Sequence, residues 1–208
     1  METILIFAGG DSPHETLAEE LPAASLIIAA DSGYDIAVAA GFTVDVLVGD
    51  MDSISAQVIP DHVVVERHSP DKDATDLELA LERAAAQDPE RVVVVGGAGG
   101  RFDHEVATAA LLCAPRWDVV EEIDWITDRG WSHVIWNRRI LHGDVGALIS
   151  LVPMGGPAVG VSTKGLRWDL SGATLQPGTT WGVSNQFKGP VADVRVDLGC
   201  LLAVIPTV

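Results

Sequence analysis

Four short apolar runs in the first half of the chain each lead into a turn that contains Gly or Asp, and this repeated pattern strongly constrains the fold. The runs are Thr3–Ala8, Leu26–Ala30, Val44–Val48 and Arg91–Val95. Nearly continuous apolar runs are typical of parallel strands that are buried on both faces. Segments with helical spacing lie between the runs, and Thr75-x-x-Glu78 is a capping box that opens one of them. Strands that alternate with helices predict an α/β fold, with a doubly wound, mostly parallel sheet and helices on both faces.

The pattern changes near residue 130. The apolar runs that follow, among them Gly146–Val152 and Ala158–Val161, are short, often alternate with polar residues, and are separated by Gly or Pro. We expect each to form a separate short strand of a small antiparallel β-sandwich or barrel-like domain. The charge divides at the same place: residues 1–130 carry 26 Asp and Glu against 7 Lys and Arg, whereas residues 131–208 carry 4 against 6. We therefore predict two domains, an α/β domain over 1–129 and an all-β domain over 130–208.

Composition excludes several classes of function. A net charge of −17 argues against a nucleic-acid-binding protein, because the phosphates of a nucleic acid require a basic surface. No apolar run approaches the roughly 20 residues of a membrane span. The start at Met1 lacks the basic stretch of a signal peptide, so we expect a cytoplasmic protein. Cys113 and Cys200 have apolar neighbours, which favours buried free thiols over a disulfide.

Six aspartates lie where strands are predicted to end or helices to begin: Asp31, Asp50, Asp52, Asp73, Asp76 and Asp103. A single aspartate at such a position is common in turns and helix caps. The carboxyl ends of parallel strands meet at one edge of the sheet, however, and that edge is where ligands bind in open α/β folds. Carboxylates gathered there repel each other unless a cation lies between them. The set therefore predicts a site for a hard divalent cation such as Mg²⁺, bridging to the phosphates of a nucleotide.

A glycine-rich loop follows the fourth apolar run. Gly96, Gly97, Gly99 and Gly100 lie between a predicted strand and a predicted helix, where backbone N–H groups and the helix dipole favour a phosphate. The loop is neither a P-loop nor a G-x-G-x-x-G motif, so the glycines alone are a weak signal. Arg101 strengthens the interpretation, because a guanidinium group matches phosphate geometry. A tight turn followed by a surface arginine remains the alternative.

Two tryptophans stand out in the second part of the chain. Trp168 lies between Leu166 and Leu170, and we predict that it is a core residue. Trp181 is followed closely by Ser184 and Asn185, and an aromatic ring beside two small polar side chains is suited to a planar, cationic heterocycle. A packed tryptophan beside a turn explains the same residues equally well.

Taken together, these motifs resemble the thiamine pyrophosphokinase family. The resemblance rests on Asp31-Ser32-Gly33, Gly49-Asp50-Met51-Asp52-Ser53, Pro70-Asp71-Lys72-Asp73-Ala74-Thr75-Asp76, the Gly-rich stretch through Asp103, Gly165-Leu166-x-Trp168-x-Leu170 and Gly182-Val183-Ser184-Asn185. These motifs span nearly the whole chain in order and are specific only as a set. Met51 stands where the family usually has Phe.

The resemblance implies a reaction in which ATP and thiamine give thiamine diphosphate and AMP, with Mg²⁺ required. It implies that Asp50, Asp52 and Asp76 bind the metal and act in catalysis together with Arg101 and Asp103. It further implies that the ATP site includes Asp31, Asp73, Gly97, Gly99, Gly100 and Arg101, and that Trp181, Ser184 and Asn185 surround thiamine. A homodimer with the active site at the subunit interface is also implied.

Two other functions remain open at this point. One is a pyrophosphokinase that acts on a hydroxymethyl-pterin, although a neutral pterin has no use for a cation-selecting aromatic pocket. The other is a non-catalytic protein that binds nucleotide, which predicts loss of the Asp and Arg set. That set is complete in this chain.

Overall fold

The computed structural model describes residues 1–11, 17–55 and 58–207, which form two compact units. The first comprises Met1–Thr108 and Val119–Asp128, and the second comprises Ala109–Asp118 and Arg129–Val208. From residue 129 onward the chain belongs to the second unit, and the ten residues Ala109–Asp118 belong to it as well. The division into domains 1–129 and 130–208 stays a prediction.

A parallel sheet forms the centre of the first unit. Within the described residues its strands are β1 (Thr3–Ala8), β2 (Leu26–Ala30), β3 (Val46–Gly49), β4 (Val64–Arg67), β5 (Arg91–Gly96) and β6 (Glu122–Thr127). The strands lie in the order β4-β3-β2-β1-β5-β6 and every neighbouring pair is parallel. The order reverses between β1 and β5, and such a switch point is where open α/β sheets form a ligand crevice.

The helices of the first half of the chain follow the strands. They are α1 (Leu17–Glu20), α2 (Gly33–Ala39), α3 (Asp76–Ala85) and α4 (Phe102–Leu112), and a 3₁₀ turn follows at Pro115–Trp117. The predicted capping box is confirmed at its first half, because Thr75 Oγ1 accepts a hydrogen bond from Glu78 N at 3.2 Å. The sequence also predicts a short helix over Pro13–Glu20, and the part of it that precedes α1 lies outside the described residues.

The core of the first unit lies in its two central strands. All six residues of β1 are buried, and so are Val92–Gly96 in β5. Helix α3 packs against β1, β2 and β3 through Leu77, Ala80, Leu81 and Ala84, the face that helical spacing predicts. This packing fixes the start of α3 relative to the carboxyl ends of β2 and β3.

The second unit is antiparallel. Its strands in the described part of the chain are β7 (Gly130–Ile135), β8 (Arg138–His142), β9 (Leu148–Lys164), β10 (Ala173–Leu175), β11 (Asn185–Gln186), β12 (Val191–Arg195) and β13 (Leu198–Pro206). They pair in the order β7-β13-β9-β12-β8, and β10 and β11 also pair with β9. The predicted α/β class, with a parallel first part and an antiparallel second part, is confirmed.

Two expectations for the second unit are wrong. The runs Gly146–Val152 and Ala158–Val161 are not separate short strands, because a single strand of 17 residues, β9, continues through Gly155 and Gly160 at positive φ. Trp168 is not a core residue, since 54% of it is exposed. The core instead contains Phe187 among other fully buried side chains.

The described helices include none that is both long enough and apolar enough to span a lipid bilayer.

Candidate functional site

Carboxylates converge at the carboxyl ends of β2 and β3. Asp31 follows β2, and Asp50 and Asp52 follow β3, the neighbouring strand. Each of the three presents a carboxylate oxygen, and the three oxygens lie within 4.8 Å of one another. The sequence predicted this meeting because adjacent parallel strands end at the same edge of the sheet.

Asp31 is held by backbone contacts while part of its carboxylate lacks a partner. Its φ of 45° places it in the left-handed region, and its N–H donates to Val48 O at 2.9 Å. Its Oδ1 is buried and has no hydrogen-bond partner. Burial raises the pKa of the Asp31 carboxyl above its ordinary value, and the nearby charges of Asp76 and Asp50 add to the rise. A hydrogen bond from the backbone of Ser32 opposes it only in part.

The loop after β3 is folded back on itself. Met51 has a φ of 67°, and Asp52 N donates to Asp50 Oδ1 at 3.1 Å. Ser53 Oγ donates to Asp52 Oδ1 at 2.7 Å. Further along, Ser55 N donates at 2.8 Å to the side chain of Asp35, in the first turn of α2. These bonds turn the loop so that its carboxylates stay beside Asp31.

Asp76 reaches the same place from the first residue of α3. If Gly49 carried a Cβ, that atom would lie 3.0 Å from Asp76 Oδ1 and 3.2 Å from Asp31 Cβ, so the two carboxylates flank this glycine. Lys72 Nζ lies 3.1 Å from Asp76 Oδ1 and 3.8 Å from Asp50 Oδ2. Asp76 Oδ1 is buried and this ion pair lacks hydrogen-bond geometry, which leaves the oxygen without a hydrogen-bonded partner.

The donor set fits a hard divalent cation. We call Asp31, Asp50, Asp52 and Asp76 the acidic cluster. Its members offer only oxygen ligands, the donors that Mg²⁺ prefers. Two of its oxygens, Asp31 Oδ1 and Asp76 Oδ1, are buried without a hydrogen-bond partner, and of these Asp76 Oδ1 has the ammonium group of Lys72 beside it. Burying charged oxygens in this way is costly unless a cation neutralises them. The cluster can therefore hold a divalent ion and leave coordination positions for phosphate oxygens.

The glycine-rich loop lies at the switch point of the sheet. Gly97 has a φ of 73° and its N–H donates to Gly9 O at 2.8 Å. Gly99 has a φ of 87°, and a Cβ there would lie 2.1 Å from Asp11 Oδ2. The loops after β1 and β5 are thus packed together, and these two positions require glycine. Nothing lies within 4 Å of a Cβ at Gly100, which leaves room beside the backbone there.

Three of the charged residues predicted for the ATP site or for catalysis lie outside the acidic cluster. Arg101 and Asp103 are exposed and pair with each other, with Arg101 Nη2 2.6 Å from Asp103 Oδ2. Hydrogen bonding from Arg101 holds the pKa of the Asp103 carboxyl below its usual value. Asp73 is exposed on the loop before α3. Their roles toward ATP stay predictions.

The three predicted thiamine residues differ in what their side chains do. Trp181 is 56% exposed, and Ser184 is exposed with a φ of 59°. Asn185 is buried, and its amide clamps the backbone of Trp168: Oδ1 accepts from Trp168 N at 3.1 Å, and Nδ2 donates to Trp168 O at 2.8 Å. Its Oδ1 also accepts from Gln186 N. Three of the four hydrogen bonds that an amide side chain can form are therefore used.

The sequence motifs assign no role to Lys72. Its position inside an acidic motif was visible, since it stands between Asp71 and Asp73. A lysine on a loop is usually a solvated surface residue, and nothing in the sequence showed that its ammonium group would contact Asp50 and Asp76. Asp35 was also missed, because nothing in the sequence showed that its side chain would accept a hydrogen bond from the loop after β3.

Comparison with known proteins supports the family. Residues 17–121 match the family model "Thiamin pyrophosphokinase, catalytic domain", and residues 132–201 match "Thiamin pyrophosphokinase, vitamin B1 binding domain". Thiamine pyrophosphokinase 2 of Arabidopsis thaliana is 30% identical over 175 residues, which cover 77% of this chain and 64% of that protein. The thiamine pyrophosphokinase of Bacillus subtilis is 33% identical over 123 residues, 54% of this chain and 55% of that one. The matched regions thus span less than two thirds of these relatives.

Solved structures share the fold. The crystal structure of thiamine pyrophosphokinase from Bacillus subtilis superposes with a TM-score of 0.85 at 24% identity and covers 100% of both chains. Thiamin pyrophosphokinase from Candida albicans superposes with a TM-score of 0.76 at 15% identity, covering 99% of this chain and 90% of that one. Because the first family model alone matches half of the 208 residues, these findings confirm the predicted resemblance, and the chain belongs to the thiamin pyrophosphokinase family.

Proposed function

We propose that this protein is an Mg²⁺-dependent thiamine diphosphokinase, a transferase that moves the diphosphate group of ATP to the hydroxyl of thiamine and releases AMP. The observation that supports this most is the acidic cluster at the ligand edge of the sheet, in which Asp31 Oδ1 and Asp76 Oδ1 are buried without hydrogen-bond partners. The family to which the chain belongs, whose name denotes a diphosphotransferase, supplies the substrate class.

In this proposal the divalent ion is held by Asp50, Asp52 and Asp76. An ion held there would supply charge neutralisation for the phosphates and polarisation of the phosphoryl group that is attacked. Asp31, which the resemblance assigned to the ATP site, presents a carboxylate oxygen within 4.8 Å of oxygens of Asp50 and Asp52. Burial and the charges of its neighbours raise the pKa of the Asp31 carboxyl, so a bound cation would stabilise its charged form.

ATP is proposed to lie along the sheet edge between the glycine-rich loop and the acidic cluster. Neighbouring strands are about 4.8 Å apart, and only β1 separates the ends of β5 and β2, so one nucleotide is long enough to contact both. Gly97 would line the site while its own N–H stays bonded to Gly9 O, and the backbone N–H groups of Gly99 and Gly100 would donate to phosphate oxygens. Asp73 and Arg101 would complete the site, with Arg101 exchanging Asp103 for a phosphate group.

In the reaction, the thiamine hydroxyl oxygen bonds to the β-phosphorus of ATP while the bond from that phosphorus to the α-phosphate oxygen breaks. AMP leaves with the electron pair, and the hydroxyl proton passes to a carboxylate, either Asp76 or Asp103. Asp103 is a weak proton acceptor while Arg101 remains bound, since its pKa is lowered. Positioning and charge neutralisation provide most of the rate in phosphoryl transfer of this kind.

Thiamine is proposed to bind at Trp181, Ser184 and Asn185. The exposed ring of Trp181 is available to a cationic thiazolium, a contact worth about 1 kcal/mol. The excess of negative charge in residues 1–130 would also attract a cationic acceptor and would not attract a neutral pterin. We further propose that the protein is cytoplasmic and forms a homodimer with the active site at the subunit interface. Light scattering of the purified protein would test the dimer.

The function is tested by incubating the purified protein with thiamine, ATP and Mg²⁺ and separating the products. We expect AMP and thiamine diphosphate in equal amounts, no turnover after chelation, and no turnover in Asp76→Asn. The matched control is Asp61→Asn, which removes the same charge from an exposed position and should leave turnover unchanged. Formation of ADP and thiamine monophosphate, or turnover of a hydroxymethyl-pterin but not of thiamine, would contradict the proposal.

A further inference from the structure

Lys72 is unusually enclosed for a lysine. Its side chain retains only 17% of its exposure, and its Nζ lies between Asp76 Oδ1, at 3.1 Å, and Asp50 Oδ2, at 3.8 Å. Most lysines keep the ammonium group in water. Here it is placed against two of the carboxylates that are proposed to bind the divalent ion.

The position of this ammonium group conflicts with a bound ion. A divalent ion would lie about 2.1 Å from its carboxylate oxygens. Lys72 Nζ already contacts one oxygen of Asp76 and approaches one of Asp50, and two cations on the same oxygens repel each other. The ammonium group and the ion therefore compete for the acidic cluster.

The chain allows this lysine to move. Lys72 lies on the loop before α3, four residues ahead of Asp76, and the start of the helix is capped by Thr75 rather than by the lysine. Residues 71 and 73 on either side of it are exposed. A flexible four-carbon side chain can leave the carboxylates without disturbing the helix cap, and an ammonium group is a good partner for phosphate oxygens.

We propose that Lys72 is a built-in counter-ion: it neutralises Asp50 and Asp76 in the ion-free protein and transfers to the phosphate chain of the nucleotide when the divalent ion binds. This inference rests on the proposed function for the identity of ion and nucleotide. It gives the lysine two opposite effects, since it weakens binding of the ion alone and strengthens binding of the ion with its nucleotide.

A purely structural lysine would behave differently. If Lys72 served only to hold Asp76 in place, its removal would disorder the ligand and weaken binding of the ion in every case. The sign of the change in ion affinity therefore separates the two roles, and it is measured without thiamine and without turnover.

The test is Mn²⁺ binding to the metal-free protein, followed by electron paramagnetic resonance, in the wild type, Lys72→Met and Lys72→Arg. We expect Lys72→Met to bind Mn²⁺ alone about tenfold more tightly, the factor given by about 1.4 kcal/mol. We also expect it to melt at lower temperature when free of metal and to bind Mn²⁺ with ATP more weakly. Lys72→Arg should keep the wild-type affinity for Mn²⁺ alone.

The control is Lys188→Met, which changes the net charge equally at an exposed position and should alter none of these values. Unchanged or weaker binding of Mn²⁺ alone in Lys72→Met would overturn the counter-ion role. Failure of the wild type to bind Mn²⁺ at all would overturn the ion site itself. Absence of product in the turnover assay with these binding results intact would overturn only the proposed reaction.

Discussion

Gly49 lies at the end of a strand of the parallel sheet and beside the acidic cluster. Its substitution by alanine should therefore lower both the stability of the fold and the affinity for a divalent ion. This residue ends β3 with a φ of 145°, which side chains rarely adopt. A Cβ there would lie 3.0 Å from Asp76 Oδ1 and 3.2 Å from Asp31 Cβ. Both distances are tight for a methyl group, so an alanine would push against two carboxylates as well as strain the backbone.

The expected loss of stability follows from these two effects. A residue held at unfavourable φ costs about 1–3 kcal/mol, and crowding in a packed site adds a similar amount at most. We therefore expect Gly49→Ala to lower the free energy of unfolding by about 2–3 kcal/mol in urea denaturation of the metal-free protein. For a chain of about 200 residues each kcal/mol corresponds to about 2–4 °C in melting temperature. Affinity for Mn²⁺ should fall by about tenfold or more, because Asp76 and Asp31 are displaced.

Gly41→Ala is the matched control. Gly41 also has a positive φ, 83°, but nothing lies within 4 Å of a Cβ at that position. It should therefore lose about 1–2 kcal/mol of stability from backbone strain alone and keep the wild-type affinity for Mn²⁺. If Gly49→Ala were destabilised yet bound Mn²⁺ as tightly as Gly41→Ala, the assignment of the ion to carboxylates around Gly49 would be refuted.

Three further predictions concern the second unit. Hydrogen bonds from Arg138 hold the pKa of the Asp193 carboxyl below its usual 3.8, so this carboxylate stabilises the fold at neutral pH, and its contribution is lost as the pH falls through the lowered value. Asp193→Asn should thus lower the urea midpoint at pH 7, and the difference from wild type should shrink below about pH 3.8; a difference independent of pH would contradict the ion-pair role. Asn185→Ala should cost about 2 kcal/mol in urea denaturation, because it leaves the N–H and C=O groups of Trp168 without partners; a loss under 0.5 kcal/mol would show that water replaces the amide. Trp181→Ala should weaken thiamine binding in calorimetry and leave ATP affinity unchanged, whereas equal loss of both would indicate a structural tryptophan.

The sequence predicted the part of the site that depends on strand ends. Asp31 and Asp50 were expected at one sheet edge because buried apolar runs precede them, and β2 and β3 are indeed parallel neighbours. Asp76 was expected near the same edge because a capping motif opens its helix, and the packing of α3 on the sheet brings it there. These predictions succeeded because topology fixes where a backbone segment ends.

Contacts that depend on side-chain conformation or local bends were not predictable in this way. Trp168 was placed in the core because leucines lie two residues to either side, as in a buried strand. The backbone instead forms a turn there, with Asp169 Oδ1 accepting from Leu166 N at 3.0 Å, so alternation no longer tells which face is buried. Strand β9 was divided into two because Gly and Pro interrupt its pattern, yet Gly155 is accommodated within one continuous strand.

The position of the divalent ion tests the central claim most directly. A crystal of the protein with Mn²⁺ and a non-hydrolysable ATP analogue, measured at the manganese absorption edge, locates the ion by its anomalous scattering. We predict one ion bonded to oxygens of both Asp50 and Asp76 and to phosphate oxygens of the nucleotide, with Lys72 no longer contacting either carboxylate. An ion bound away from these aspartates, with Lys72 still between them, would contradict the account.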